Sequence, residues 1–407
     1  MTAGLAGCGD LPQIRVQLGA GDAVPERNFA GLIAADEPEA VLVARNILLA
    51  NGNATDAAVA LGFALTVTLP SSAGLGGGGA CLVHDAENGV TEAIDFTSPA
   101  NDDTGAARYR AAVPALPRGL FALHAKYGRV PWSQVVAPAE NLARFGYTVT
   151  RAFARDLAAD GGALMNDRTA LTAFMTPRRQ MLQAGDAFKQ IDLATSLSRL
   201  RARGPGDVGR ELEDAVAAAG GAITAAQMRA YVPQWIAAVS IDEDGQRLFV
   251  LPASVAGGEF KEVQSGVSVP SGATGLVVGD ADGNVVACAL TMGHAFGLGL
   301  MPASTGFLLA PSPDAPGADK IQLAPVIGID RTSKAVVFAG ASAGIDAIGS
   351  LATRAKMLKA PTESGSSSRR GGFINMLTCA ANENRVTCEA QADPRGSGYA
   401  LTLGPRD

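Results

Sequence analysis

Apolar positions recur along the chain with two different periods. From Glu37 to Ala50, and again from Thr55 or Asp56 to Thr68, they support helices separated by the breaker Asn51-Gly52-Asn53. The second run, TDAAVALGFALTVT, is apolar on all sides, which predicts a buried helix. A glycine-rich stretch follows. The short apolar run Ala80–Asp85, the turn at Asn88-Gly89 and the run Val90–Phe96 then predict a strand hairpin. Helical spacing returns over Gly119–Tyr127, Trp132–Phe145, Arg151–Ala159, Leu193–Arg203, Glu211–Ala219 and Ala225–Tyr231. Beyond that the period drops to two. Ala237–Asp242 and Arg247–Pro252 flank Glu243-Asp244-Gly245, Gly275–Val278 and Val285–Met292 flank Asp280–Asn284, and Ala324–Asp330 pairs in pattern with Ala335–Ala339. A helix near Ile345–Leu358, a connector Lys359–Gly372 and a closing hairpin complete the chain. Hairpin-paired strands with helices grouped between them predict an α+β fold of antiparallel sheets covered by helices.

The glycine stretch LPSSAGLGGGGACLVHD satisfies the dinucleotide spacing at Gly74, Gly76 and Gly79. Its context is reversed, however. A phosphate-binding loop leads from a strand into a helix, whose N-terminus meets the pyrophosphate. Here a helix leads into a strand, so the glycines are read as sites of close backbone approach. A net charge of −6 with scattered basic residues excludes a nucleic-acid surface. The longest apolar run, Ala57–Leu69, is too short to span a bilayer. The histidines His84, His124 and His294 have no metal-ligand spacing, so neither a metal nor another cofactor is expected.

The cysteines point to a compartment. Leu5-Ala6-Gly7-Cys8 resembles a lipobox, although the basic and apolar regions that should precede one are missing. Residues 1–30 are therefore either the remnant of a lipoprotein signal, with lipidation at Cys8, or a poorly ordered terminus. Cys81 and Cys288 lie inside apolar strands and are read as buried thiols. Cys379 and Cys388 flank TCAANENRVTC and are expected to pair in a disulfide. Together these features predict the periplasm or cell envelope, with any membrane contact limited to the lipid anchor.

Several blocks resemble the gamma-glutamyltransferase family of N-terminal-nucleophile (Ntn) hydrolases. They are Asn51–Ala60, the loop Gly74–Gly79, Ile94-Asp95-Phe96, Tyr127-Gly128 with Pro131-Trp132 and Pro138-Ala139, and Gly220–Thr224 through Tyr231. Later come Asp280–Asn284, Phe296-Gly297 with Gly299, and Asp393–Gly396. The resemblance implies a four-layer α/β/β/α sandwich over residues 31–407, large-subunit-like over 31–273 and small-subunit-like over 274–407. It also implies a Thr or Ser nucleophile freed by self-cleavage, whose own α-amino group acts as base, with backbone donors stabilising the oxyanion.

The individual positions depart from that pattern. The gapless register puts Ala273 at the nucleophile, Thr274 at the following Thr and Gly275 at the histidine. Thr97 stands for the carboxylate-binding arginine, Gly293 for an asparagine and Ala315 for an amine-binding aspartate. Ile321 and Gln322 stand for a Ser-Ser pair, while the oxyanion turn is partly kept as Gly340–Gly344, with Ala343 and Gly344 at its donor positions. Two readings stay open. One is a family member with an eroded site, binding a small amide or peptide-like ligand or serving structurally. The other is an amide hydrolase in which a one-residue shift makes Thr274 the nucleophile, although such a shift turns the side chain to the opposite face.

Overall fold

In the computed structural model the described residues are 26–27, 29–100, 109–208, 214–216, 223–261, 272–315, 321–357, 372–382 and 385–404. The Cys8 segment, most of the helix expected over Glu211–Ala219, and the connector Lys359–Gly371 lie outside them.

The strands in chain order are β1 (Glu26–Arg27), β2 (Gly31–Ala35), β3 (Gly78–Asp85), β4 (Val90–Phe96), β5 (Tyr147–Thr148), β6 (Ala187–Phe188), β7 (Gln234–Ala237), β8 (Val239–Glu243) and β9 (Gln246–Val250). They continue as β10 (Ala273–Asp280), β11 (Val285–Thr291), β12 (Gln322–Asp330), β13 (Val336–Gly344), β14 (Ile374–Asn382), β15 (Arg385–Gln391) and β16 (Tyr399–Leu403). Two seven-stranded sheets result. One has the order β1-β15-β14-β13-β12-β9-β8, the other β16-β2-β10-β11-β3-β4-β7. Every pairing in them is antiparallel except the two-residue contact of β1 with β15. The sheets pack face to face through β10–β14, with Leu32, Leu82, Val277 and Ala287 of one meeting Val326, Ala339 and Leu377 of the other.

The outer face of the β2–β10–β11 sheet carries α1 (Pro38–Leu49) and α2 (Ala54–Thr68), backed by α3 (Leu116–Tyr127), α4 (Trp132–Phe145), α5 (Arg151–Asp160), α6 (Arg168–Ala173) and α7 (Ile191–Arg203). The helix Ala347–Met357 covers the other sheet. The architecture is thus the four-layer α/β/β/α sandwich.

Helix α2 shows why the sequence takes this form. Asn53 accepts from the Asp56 N–H while Asp56 accepts from the Asn53 N–H, a capping box that fixes the start. Every residue from Ala54 to Thr68 is buried, as expected for a helix with no polar face. Each large side chain in it, such as Leu61 or Phe63, contributes roughly 1.5–3 kcal/mol of transfer free energy. The glycine loop then crosses to β3. A Cβ on Gly76 would overlap the Leu308 carbonyl, so the glycine is there for close approach.

One reading needs correction. Cys81 and Cys288 are not free thiols but a disulfide joining β3 to β11, with Cα atoms 4.1 Å apart. They are directly opposite in the antiparallel register, and both are fully buried beneath the helices. No spacing rule links residues 207 apart, so only the register reveals the pair. Cys379 and Cys388 are also directly opposite, in β14 and β15, and are disulfide-bonded.

Candidate functional site

The residues singled out by their motifs gather at one end of the β2–β10–β11 sheet. Ala273 opens β10 opposite Thr291, the last residue of β11, and Thr291 in turn faces Gly78, the first residue of β3. Gly79 pairs with Phe96, so Thr97 comes to the same end of the sheet. It lies three strands from β10, roughly 14 Å at the usual strand spacing. The glycine-rich loop and Gly293 complete this rim.

The head of β10 has two faces. Ala273 packs between the sheets. Thr274 turns the other way and is 1% exposed, and its hydroxyl donates to Asp36 Oδ2 at 2.7 Å. Asp36 ends the β2 run, just before the Glu37 cap of α1. Its other oxygen accepts from Asn375 Nδ2 at 2.8 Å, and that amide also donates to the Gly275 carbonyl at 2.9 Å. Both Asn375 hydrogens thus have acceptors, which fixes the amide's orientation. Burial pushes the Asp36 carboxyl up to about 6, opposed by the hydrogen bonds from Thr274 and Asn375. The charge of Asp393 adds to the rise, while that of Arg155 opposes it. Burial also raises the neighbouring Glu37.

Geometry explains two of the departures. A Cβ on Gly275 would lie 2.5 Å from the Ala341 carbonyl oxygen of the facing sheet, so no histidine fits there. At Gly293, φ +76°, a Cβ would lie 2.8 Å from the Pro311 ring, so any larger side chain there would push against that ring. Thr97 spends its polar groups locally, since its N–H and hydroxyl both donate to Asp95 Oδ1, at 2.8 and 2.7 Å. Ala343 and Gly344 are the last residues of β13 and pair with Leu323 and Gln322. Ala315 lies at the end of the Pro311 segment, where its N–H donates to Ser312. The structure therefore brings Ala273, Thr274 and Gly293 together and sets the end of β13 beneath Gly275. It keeps Thr97 three strands away.

Sequence reasoning missed Asp36 and Asn375. Asp36 carried a faint signal, a charge closing the apolar run GLIAA immediately before a helix cap. Asn375 carried none.

Comparison with known proteins bears on the family and the fold. The sequence profile of one family, gamma-glutamyltranspeptidase, matches residues 40–265. The chain belongs to the gamma-glutamyltranspeptidase family. The glutathione hydrolase proenzyme of Escherichia coli (strain K12) is 33% identical over 256 residues, which cover 58% of this chain and 44% of that protein. The Acylase ACY 1 proenzyme of Pseudomonas sp. (strain SE83) is 33% identical over 235 residues, covering 51% and 42%. The chain thus spans less than half the length of these family relatives. Among solved structures, the cephalosporin acylase of Bacillus halodurans superposes with a TM-score of 0.75 over 98% of this chain and 100% of that one. At 18% identity that likeness speaks to the fold alone. The family's gamma-glutamyltranspeptidase from Helicobacter pylori is 29% identical, with a TM-score of 0.51 over 54% of this chain and 69% of that one.

Proposed function

We propose that this family member binds a small amide or peptide-like ligand and does not transfer γ-glutamyl groups. The observation that carries the reading is the head of β10. At the gapless nucleophile position Ala273 offers only a methyl group, while the Thr274 hydroxyl points to the other face and is engaged by Asp36 at 2.7 Å. Catalysis needs a whole constellation. The groups at Thr97 and Gly293 do not replace the arginine and asparagine that the resemblance calls for. The nature of the ligand is supported by the relatives, named as glutathione hydrolases and an acylase. An oxidising, cell-envelope location is part of the same proposal, supported by the two disulfides.

Intact-mass measurement of the purified protein after reduction of its disulfides, since Cys81–Cys288 would hold two fragments together, with a γ-glutamyl-p-nitroanilide assay, tests the reading. The expected result is one chain of 41.3 kDa and no release of nitroaniline. Two fragments or measurable release would refute it.

A second reading has one observation in its favour. Asp36, pushed up to about 6, already accepts the Thr274 hydroxyl hydrogen and so stands where a general base would. On that reading the chain cleaves between Ala273 and Thr274, and the freed amino group then serves as base. The same mass spectrum would show a fragment beginning at Thr274. Thr274→Ala would abolish the cut, and its rate in the wild type would rise with pH through about 6.

A further inference from the structure

The dipeptide Asn-Gly occurs twice in the chain, at the helix breaker Asn51-Gly52 and at the hairpin turn Asn88-Gly89. In this dipeptide an asparagine side chain lies open to attack by its own backbone, because glycine has no Cβ to shield the next nitrogen. The fold treats the two copies in opposite ways. Gly52 is buried, and its N–H donates to the Ile47 carbonyl at 2.9 Å, closing the end of α1. A Cβ there would lie 2.5 Å from the Ile47 side chain, so the backbone has no room to turn. Asn53, which caps α2, follows at once and fixes the other side.

The β3–β4 turn is different. Glu87, Asn88 and Gly89 are all exposed, and a Cβ on Gly89 would meet nothing within 4 Å. The Gly89 N–H has no acceptor among the described residues. Asp85 anchors the turn. Its Oδ1 accepts from the N–H groups of Glu87 and Asn88 at 3.1 and 3.2 Å, and its Oδ2 from Asn88 Nδ2 at 2.7 Å.

We propose that Asn88 is a site of spontaneous covalent modification, converted in the folded protein to aspartate and isoaspartate, and that the fold protects Asn51. The Gly89 nitrogen gives its proton to solvent base and bonds to Asn88 Cγ. The Cγ–Nδ2 bond breaks, and Nδ2 takes a proton from water and leaves as ammonia. Water then opens the resulting succinimide at either carbonyl. Attack requires the backbone nitrogen to be deprotonated and to turn toward the side chain. An exposed turn with few contacts opens readily for this, whereas a bonded and packed one does not. The product sets a second carboxylate beside Asp85, where Asp85 now receives a hydrogen bond. Like charges then face each other in the turn.

Incubation of the full chain at mildly alkaline pH, followed by peptide mapping with fragment-ion localisation, tests the site. In the folded protein Asn88 is expected to be converted at least about tenfold faster than Asn51, because the reaction depends on alignment of the two atoms. In guanidinium chloride with the disulfides reduced, the two should react at similar rates. Asn88→Gln, which would have to close a larger ring, should remove the modification at this position. If that variant fails to fold, the folded and denatured wild type decide the matter by themselves. Asn88 persisting as long as Asn51 in the folded protein, or the same preference in both states, would overturn the assignment. Asn88 lies beyond the far end of β3 from Gly78, so neither result bears on ligand binding or on cleavage before Thr274.

Discussion

The layer built on α2 and the seam at the head of β10 flank the same sheet, yet they are buried in different ways. In the first, Val59, Leu61, Phe63, Leu65 and Val67 are fully enclosed and carry no polar atom beyond the backbone, which the helix satisfies itself. In the second, Asp36, Glu37, Thr274, Ser342 and Asn375 are enclosed as well. Glu37 Oε1, Ser342 Oγ and Asn375 Oδ1 have no partner among the described residues. Burial of the first kind stabilises a fold. Burial of the second kind costs free energy unless every group is paired. Stability and candidate chemistry therefore occupy separate places on one sheet, which lets the scaffold persist while individual functional positions change.

That contrast can be broken in three ways. The largest effect belongs to the apolar layer. Phe63→Ala removes a fully buried ring that meets Trp132 edge-on at 5.5 Å, and a loss of roughly 3–5 kcal/mol is expected in urea unfolding. A shift of less than about 1 kcal/mol would mean that the layer repacks freely.

The second effect concerns the carboxyl of the seam. Asp36 titrates near 6 in the folded state against 3.8 as its ordinary value. Between those values the native state holds more protons than the unfolded one, so its stability is present at low pH and lost as pH rises through about 6. Asp36→Asn keeps the shape and removes the titration, with the Thr274 hydroxyl turning to accept from the new amide. The variant should gain on the wild type from pH 4 to pH 7, by on the order of 3 kcal/mol. Parallel unfolding curves across that range would show that Asp36 is not strained by burial.

The smallest effect has the opposite sign to the first. Ser342→Ala removes a fully buried hydroxyl with no partner among the described residues and leaves a methyl group of similar size. Stability should be unchanged or higher by up to about 1 kcal/mol. A clear loss would reveal a hydrogen bond that Ser342 makes in solution.

The same contrast governs what the sequence disclosed. Helix α2, the hairpin β3–β4 and helix α4 were legible almost to the residue, because long apolar periodicity and strong turn residues act locally. β2 was not. Its five residues GLIAA are all buried and show no alternation, and so look like neither period. β13 runs to Gly344, beyond the stretch read as a strand, because small residues that suggest a turn are here what lets two sheets touch. At the site, the motif residues found their places because they lie on legible elements. Asp36 and Asn375 meet only through tertiary pairing, with |i−j| of 339 for their bond, and no local rule sees that far.

The order β16-β2-β10 also sets a schedule for the growing chain. β2 is among the first strands made, yet its partners on both sides, β10 and β16, follow it by more than 200 and more than 300 residues. Pairing over such separations is slow, because loop closure must come before any contact rewards it. β2 therefore waits until β10 and β16 have both been made, and its apolar edges need shielding until then. The same weave locks the finished product. A break in the backbone ahead of β10 would leave the front piece hydrogen-bonded on both sides to the rear piece, so two fragments would still travel as one particle.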